Sequence, residues 1–220
     1  MHRADRNGIY SSPIPKVGLK REDMKLTIIT GTHRNESKTR EVCDQLVDRY
    51  AASADVTLLD LKDMPQEAFL PGAYKEKPQA FLPMIDAVMM ADGLIVVVPE
   101  YNGSYAGVLK HFIDLLPFPD AFEHRPVAFV GLAAGIWGGL RSVEHLQGVF
   151  GYRNGYVFPE RVFVPRIYSV WDSEKKVFND PLINELLDIQ CERFVRFCKA
   201  LKESGLSATS KGPSTSVKKG

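Results

Sequence analysis

Hydrophobic and polar positions along the chain fall into two rhythms: short apolar runs, and longer stretches with apolar residues three or four apart. The regular pattern begins at Lys25. Leu26-Thr27-Ile28-Ile29 and Val56-Thr57-Leu58-Leu59 predict the first two strands. Between them Val42, Leu46, Val47 and Tyr50 recur at helical spacing, which predicts a helix from Ser37 to about Ala52. A loop holding Met64-Pro65 and Pro71-Gly72 leads to a helix over about 79–90. The run Gly93-Leu94-Ile95-Val96-Val97-Val98 predicts a third strand, followed by a helix over roughly 105–116 that Pro117 stops. Pro126 to Leu132 predicts a fourth strand, and a helix over about 139–150 follows Gly138-Gly139. Tyr156-Val157-Phe158 and Arg161-Val162-Phe163-Val164 predict an interrupted fifth strand. Leu182, Leu186, Ile189, Phe194 and Phe197 predict a last helix over about 180–203.

Strands alternating with helical segments imply βαβ crossovers and a mostly parallel sheet. Five strands with helices on both faces fit an α/β, flavodoxin-like, doubly wound five-stranded parallel sheet, order 2-1-3-4-5. One domain is expected over 24–203. Residues 1–23, with Gly8, Pro13, Pro15 and Gly18 and no periodicity, predict an irregular arm, disordered or draped on a neighbouring subunit. Residues 204–220, rich in Ser, Thr, Lys and Gly, predict a disordered tail.

Composition narrows the classes. At 220 residues, with 45% apolar and 25% charged residues, the chain can bury one sizeable core. A formal net charge of +1 gives no field that would draw nucleic acid or a membrane surface. There is no apolar run of membrane-spanning length, and the start Met1-His2-Arg3-Ala4-Asp5 lacks a signal-peptide core. Cys43, Cys191 and Cys198 lie in helical patterns without paired spacing, which points to free thiols and a cytoplasmic protein.

Candidate chemistry sits in three loops. Pro99-Glu100-Tyr101-Asn102-Gly103-Ser104 empties the third strand into an Asn-Gly turn at a helix start. A ligand of an open α/β sheet binds outside such strand ends. Exposed amides and an aromatic ring there suit a flat heterocycle such as a flavin. The alternative is an ordinary turn, with Asn-Gly chosen for positive φ. The first loop, Gly31-Thr32-His33-Arg34-Asn35-Glu36-Ser37-Lys38-Thr39, offers hydroxyls, an arginine and helix-terminal amides, a set that binds phosphate without a metal. It matches neither a dinucleotide fingerprint nor a triphosphate loop. Its plainer reading is an N-cap at Asn35 or Ser37. The third loop, Ala133 to Arg141, carries small residues that let a planar ligand approach the backbone, or is simply a glycine-rich loop with Trp137 at the surface. In the expected sheet the three loops leave adjacent strands.

These segments resemble those of NAD(P)H-dependent FMN reductases, a group that includes quinone, chromate and azo-dye reductases. The first loop is similar to their G-S-x-R-x-x-S-x-N pattern. Pro99 to Asp114 is similar to P-E-Y-N-x-S-x-P-G-x-L-K-N-x-I-D, and Gly135 to Arg141 to G-x-x-G-G-x-R. The likeness spans about Lys25 to Phe197. Departures are Thr32, Thr39, Ala106 and His111, with Ala133-Ala134 where hydroxyl residues are common. The alanines leave only backbone contacts at that edge. The resemblance implies FMN phosphate at Thr32, Arg34, Ser37, Lys38 and Thr39. It places the ring over Pro99, Glu100, Tyr101, Asn102, Gly103 and Ser104, with Ala134 and Gly135 along another side. It implies NADPH or NADH as hydride donor and a small acceptor: quinone, azo compound, metal oxyanion or free flavin. It assigns no general acid, base or metal ligand. It implies a dimer or tetramer, for which the apolar residues around Phe112, Leu115, Leu116, Phe118 and Phe122 could supply a surface; a core role explains Phe112 and Leu116 equally well. A competing reading is a flavodoxin-like electron carrier that binds FMN and a protein partner. Such carriers tend to be strongly acidic, unlike this chain.

Overall fold

The computed structural model describes residues 24–210, so the expected arm over 1–23 and the tail over 211–220 lie outside the described residues. Strands β1 (Lys25–Thr30), β2 (Asp55–Asp60), β3 (Gly93–Pro99), β4 (Pro126–Leu132) and β5 (Tyr156–Val157) form one parallel sheet in the order β2-β1-β3-β4-β5. This is the flavodoxin-like order the sequence predicts. β6 (Val162–Val164) pairs with β4 further along, opposite Val130 to Leu132, while β5 faces Pro126 and Val127. The two pieces are one edge strand broken around Pro159, which has no N–H for the ladder.

The α-helices among the described residues are α1 (Lys38–Tyr50), α2 (Leu82–Met89), α3 (Gly107–Leu115), α4 (Leu140–Tyr152), α5 (Ile167–Val170) and α6 (Pro181–Glu203). Successive residues of a strand face opposite sides, so a sheet covered on both faces needs continuous apolar runs. On β3, Ile95 and Val97 pack with Val42, Leu46 and Phe194 of α1 and α6. Leu94, Val96 and Val98 pack with Ile85, Phe112 and Leu146 of α2, α3 and α4. Among the described residues, no helix is long and apolar enough to cross a membrane.

Several details differ from the pattern. The helix expected over 79–90 opens as a 3-10 turn, Gln79–Phe81, and becomes α-helical at Leu82 with Pro83 in its first turn. Helix α5 and an antiparallel hairpin, β7 (Trp171–Asp172) with β8 (Val177–Phe178), occupy a stretch for which the pattern predicts no element. Strands of two residues are too short to show a period of two. Phe112, Leu115, Leu116 and Phe122 belong to the core, so of the apolar set offered as a surface only Phe118 is exposed. Nor is the tail unpacked from residue 204. Ser207 is buried, Ala208–Ser210 forms a 3-10 turn, and the Thr209 hydroxyl donates to Asp92 at 2.6 Å. Polar residues that cannot build a core find a buried carboxylate instead.

All three cysteines are buried free thiols. Burial pushes the Cys43 and Cys191 thiols up to about 12. The thiolate is the nucleophile, so the folded chain is expected to resist alkylation at pH 8 that the urea-unfolded chain undergoes. A folded pKa raised above the unfolded value near 9 contributes stability that is complete below pH 9 and lost toward about pH 12. Labelling of any thiol at the unfolded rate would contradict this burial.

Candidate functional site

The carboxyl ends of β1, β3 and β4 stand side by side, and the loops that leave them border a cleft of about 230 Å³. Residues 34–39 line one end, Pro99, Glu100 and Tyr101 another side, and Leu132, Ala133 and Ala134 a third. Ile167 and Tyr168 of α5 add a further wall.

The first loop is held close to β3. Gly31 donates to the Val97 carbonyl at 2.9 Å, and a Cβ at Gly31 would stand 2.5 Å from that oxygen. Thr32 is fully buried; its hydroxyl accepts from the Arg34 amide at 3.3 Å and shares a 3.0 Å hydrogen bond with the Tyr101 hydroxyl. Ser37 is the N-cap of α1, its Oγ accepting from the Arg40 amide at 3.2 Å. The N-cap reading of this loop is therefore correct, and it does not exclude a ligand. Among the described residues, none accepts from the amides of Asn35 to Thr39. Free amides at a helix N-terminus, with the positive end of the helix dipole, form an anion site. The Arg34 guanidinium stands 5.6 Å from the Tyr101 ring centroid. The Lys38 ammonium is engaged by Glu41 Oε1 at 2.8 Å and Ser173 Oγ at 2.6 Å.

The second loop is a tight Asn-Gly turn. Asn102 and Gly103 have φ of 52° and 78°, and around them Tyr101 and Ser104 exchange backbone hydrogen bonds of 2.8 and 3.1 Å. The Glu100 amide donates to Leu132 at 3.0 Å. Those three amides are consumed inside the protein, which corrects the expectation of a turn that exposes its amides. Asn102 and Gly103 keep theirs, with no acceptor among the described residues. The Glu100 side chain is only 13% exposed. Its Oε1 pairs with Arg141 at 3.2 Å, while Oε2 is buried without a partner. Ser104 Oγ meets His145 Nδ1 at 3.0 Å. In the third loop the Ala133 amide donates to Val164, and its carbonyl accepts from Ile167.

The cleft thus gathers Arg34, Ser37, Lys38, Thr39, Pro99, Glu100, Tyr101 and Ala134 of the sequence-predicted residues. Thr32 lies behind the lining, and Asn102, Gly103, Ser104 and Gly135 lie outside it. No sequence motif marks Ile167 and Tyr168 as lining residues. A larger groove, about 640 Å³ along α6, is lined by Glu185, Asp188 and Glu192, the wrong sign for a phosphate. The cleft over β1, β3 and β4 fits a phosphorylated planar ligand instead: unpaired amides and Arg34 at one end, with Pro99 and the small residues Ala133 and Ala134 along the sides.

The chain is 29% identical over 168 residues to an NADPH azoreductase of Bacillus sp. (strain OY1-2), covering 74% of this chain and 89% of that protein. It is 28% identical over 144 residues to a quinone reductase of Escherichia coli (strain K12), covering 64% and 69%. In fold it is similar to a flavoenzyme NAD(P)H:acceptor oxidoreductase of Paracoccus denitrificans, with a TM-score of 0.69, 19% identity, and coverage of 80% and 98%. Residues 24–168 match the family model described as NADPH-dependent FMN reductase, and the chain belongs to that family of oxidoreductases, with FMN as cofactor and NAD(P)H as donor.

Proposed function

We propose that this cleft holds FMN and serves hydride transfer from NAD(P)H to a small acceptor: a quinone, azo compound, metal oxyanion or free flavin. The observation that carries the reading is the run of unpaired amides from Asn35 to Thr39 beside Arg34, at one end of a cleft walled by Pro99, Glu100, Tyr101 and Ala134. Bound FMN would supply the redox chemistry of that transfer. The protein positions it. Amides and Arg34 neutralise the phosphate. The Thr32–Tyr101 hydrogen bond ties the first loop to the second, so the phosphate end and the ring wall are set as one piece. Asn102, Gly103 and Ser104 fix the shape of that wall from behind, and Gly135 extends the alanine edge. Arg141, paired with Oε1 at 3.2 Å, holds the Glu100 side chain in that wall.

Self-association as a dimer or tetramer belongs to the same reading, with the exposed Phe69, Leu70 and Tyr74 as the apolar surface in place of the buried set. A cytoplasmic setting accords with three free buried cysteines. The decisive test is a visible spectrum of purified protein with FMN, followed by anaerobic NADPH or NADH. Flavin bands should bleach and return on addition of a quinone, an azo dye or chromate. A bound flavin that neither nucleotide reduces would move the protein to the electron carriers. Arg34→Ala should weaken FMN binding by about 1.5–3 kcal/mol, the range for hydrogen bonds to charged groups. An unchanged affinity by fluorescence titration would remove Arg34 from the site.

A further inference from the structure

Lys38 would have little reason to hold one position unaided. Its side chain is 23% exposed, and a flexible four-carbon stem at a helix start samples many rotamers. Here it is fixed from two sides. Glu41, one turn along α1, accepts from the ammonium at 2.8 Å. Ser173, from the turn between β7 and β8, accepts at 2.6 Å. Glu41 is itself held, because its second oxygen accepts from the indole N–H of Trp171. That indole is buried and packs edge-on against Phe178, with ring centroids 4.8 Å apart. The same segment grips the third loop, since Arg166 and Ile167 donate backbone hydrogen bonds to Gly135 and Ala133 at 3.0 Å. Residues 166–178 therefore bridge the first and third loops, and the hairpin lies beyond residue 168, where the family match ends.

An ammonium has three donors, and here two are spent, leaving the third on a side chain that lines the cleft. We propose that Ser173, Glu41 and Trp171 are positioning residues that present Lys38 to the phosphate end, so that the hairpin sets the preference for phosphorylated over unphosphorylated flavin. The proposal rests on the flavin reading above. Without the strap the ammonium falls back on Glu41 alone and must be ordered anew when an anion arrives. That cost touches only ligands that carry the charge.

The test compares dissociation constants for FMN and riboflavin, read by quenching of flavin fluorescence, in wild type, Lys38→Met, Ser173→Ala and Ser173→Thr. Lys38→Met should weaken FMN roughly tenfold or more, and reduce the loss of affinity with added salt. Ser173→Ala should weaken FMN about 2- to 10-fold, the range for one hydrogen bond, with riboflavin affinity and Tm unchanged. Ser173→Thr keeps the hydroxyl and should restore FMN binding. Trp171→Phe should act in the same direction as Ser173→Ala. An unchanged FMN-to-riboflavin ratio in Ser173→Ala, or an equal loss for both flavins, overturns the proposal. A wild-type protein that binds neither flavin defeats the flavin reading itself.

Discussion

Gly139→Ala is expected to lower unfolding stability by about 2–4 kcal/mol and to weaken FMN binding with it. Gly139 caps α4 at φ 84°, a left-handed conformation that costs an L-residue about 1–2 kcal/mol. The larger effect is contact. A Cβ there would stand 2.6 Å from the Leu132 amide nitrogen and 3.0 Å from Gly131, both main-chain atoms of β4 that cannot swing aside. Relief requires α4 to move off the sheet. That movement carries the third loop, whose Ala133 and Ala134 line the cleft, and Arg141, which holds Glu100. Gly107→Ala is the control: it opens α3 with ordinary φ and nothing within 4 Å of the new Cβ, so alanine should be neutral or stabilising by up to about 1 kcal/mol. Urea unfolding of the two variants, with FMN titration of each, measures the difference. Equal midpoints would show that close approach at Gly139 does not set the third loop.

The sheet was legible because its strands are buried on both faces and therefore written as continuous apolar runs. A run such as Leu94 to Val98 needs no partner information to be recognised, and its residues divide between two cores. The end of the cleft proposed for a phosphate is local in sequence: Ser37 as N-cap, the amides behind it and Arg34 are neighbours along the chain. What failed to show were features made by distant partners. The fate of the turn amides depends on Tyr101 bonding Ser104 and on Glu100 reaching Leu132 on the neighbouring strand. A reading of residues 99–104 alone finds donors and cannot find the acceptors that consume them. Glu100 likewise reads as a solvated carboxylate in isolation; Arg141 and the bulk around Oε2 make it a buried one. Ile167 and Tyr168 reach the cleft only because a backbone hydrogen bond to Ala133 folds α5 over it.

Asp92→Ala should be the costliest change outside the cleft, about 2–4 kcal/mol in unfolding stability. The carboxylate is 3% exposed and sits at the start of β3, the pole of the sheet opposite the cleft. It accepts from the Lys25 amide at 2.9 Å, the Lys202 ammonium at 2.9 Å and the Thr209 hydroxyl at 2.6 Å. One acid thus joins the first strand, the end of α6 and the docked segment after it. Alanine leaves the Lys25 amide without that acceptor, while Lys202, 40% exposed, can turn to water, which keeps the loss below that of a fully buried pair. Asp92→Asn keeps the shape and an acceptor oxygen but not the charge, and should fall between alanine and wild type. Hydrogen exchange should show residues 206–210, whose backbone hydrogen bonds run to Leu201 and His124, released in the alanine variant. FMN affinity should not change, because β1 and β3 separate this node from the proposed phosphate end by about 20 Å of strand. A loss of flavin binding equal to that of Arg34→Ala would mean that the two poles of the sheet are coupled, and that the docked segment is part of the site's support.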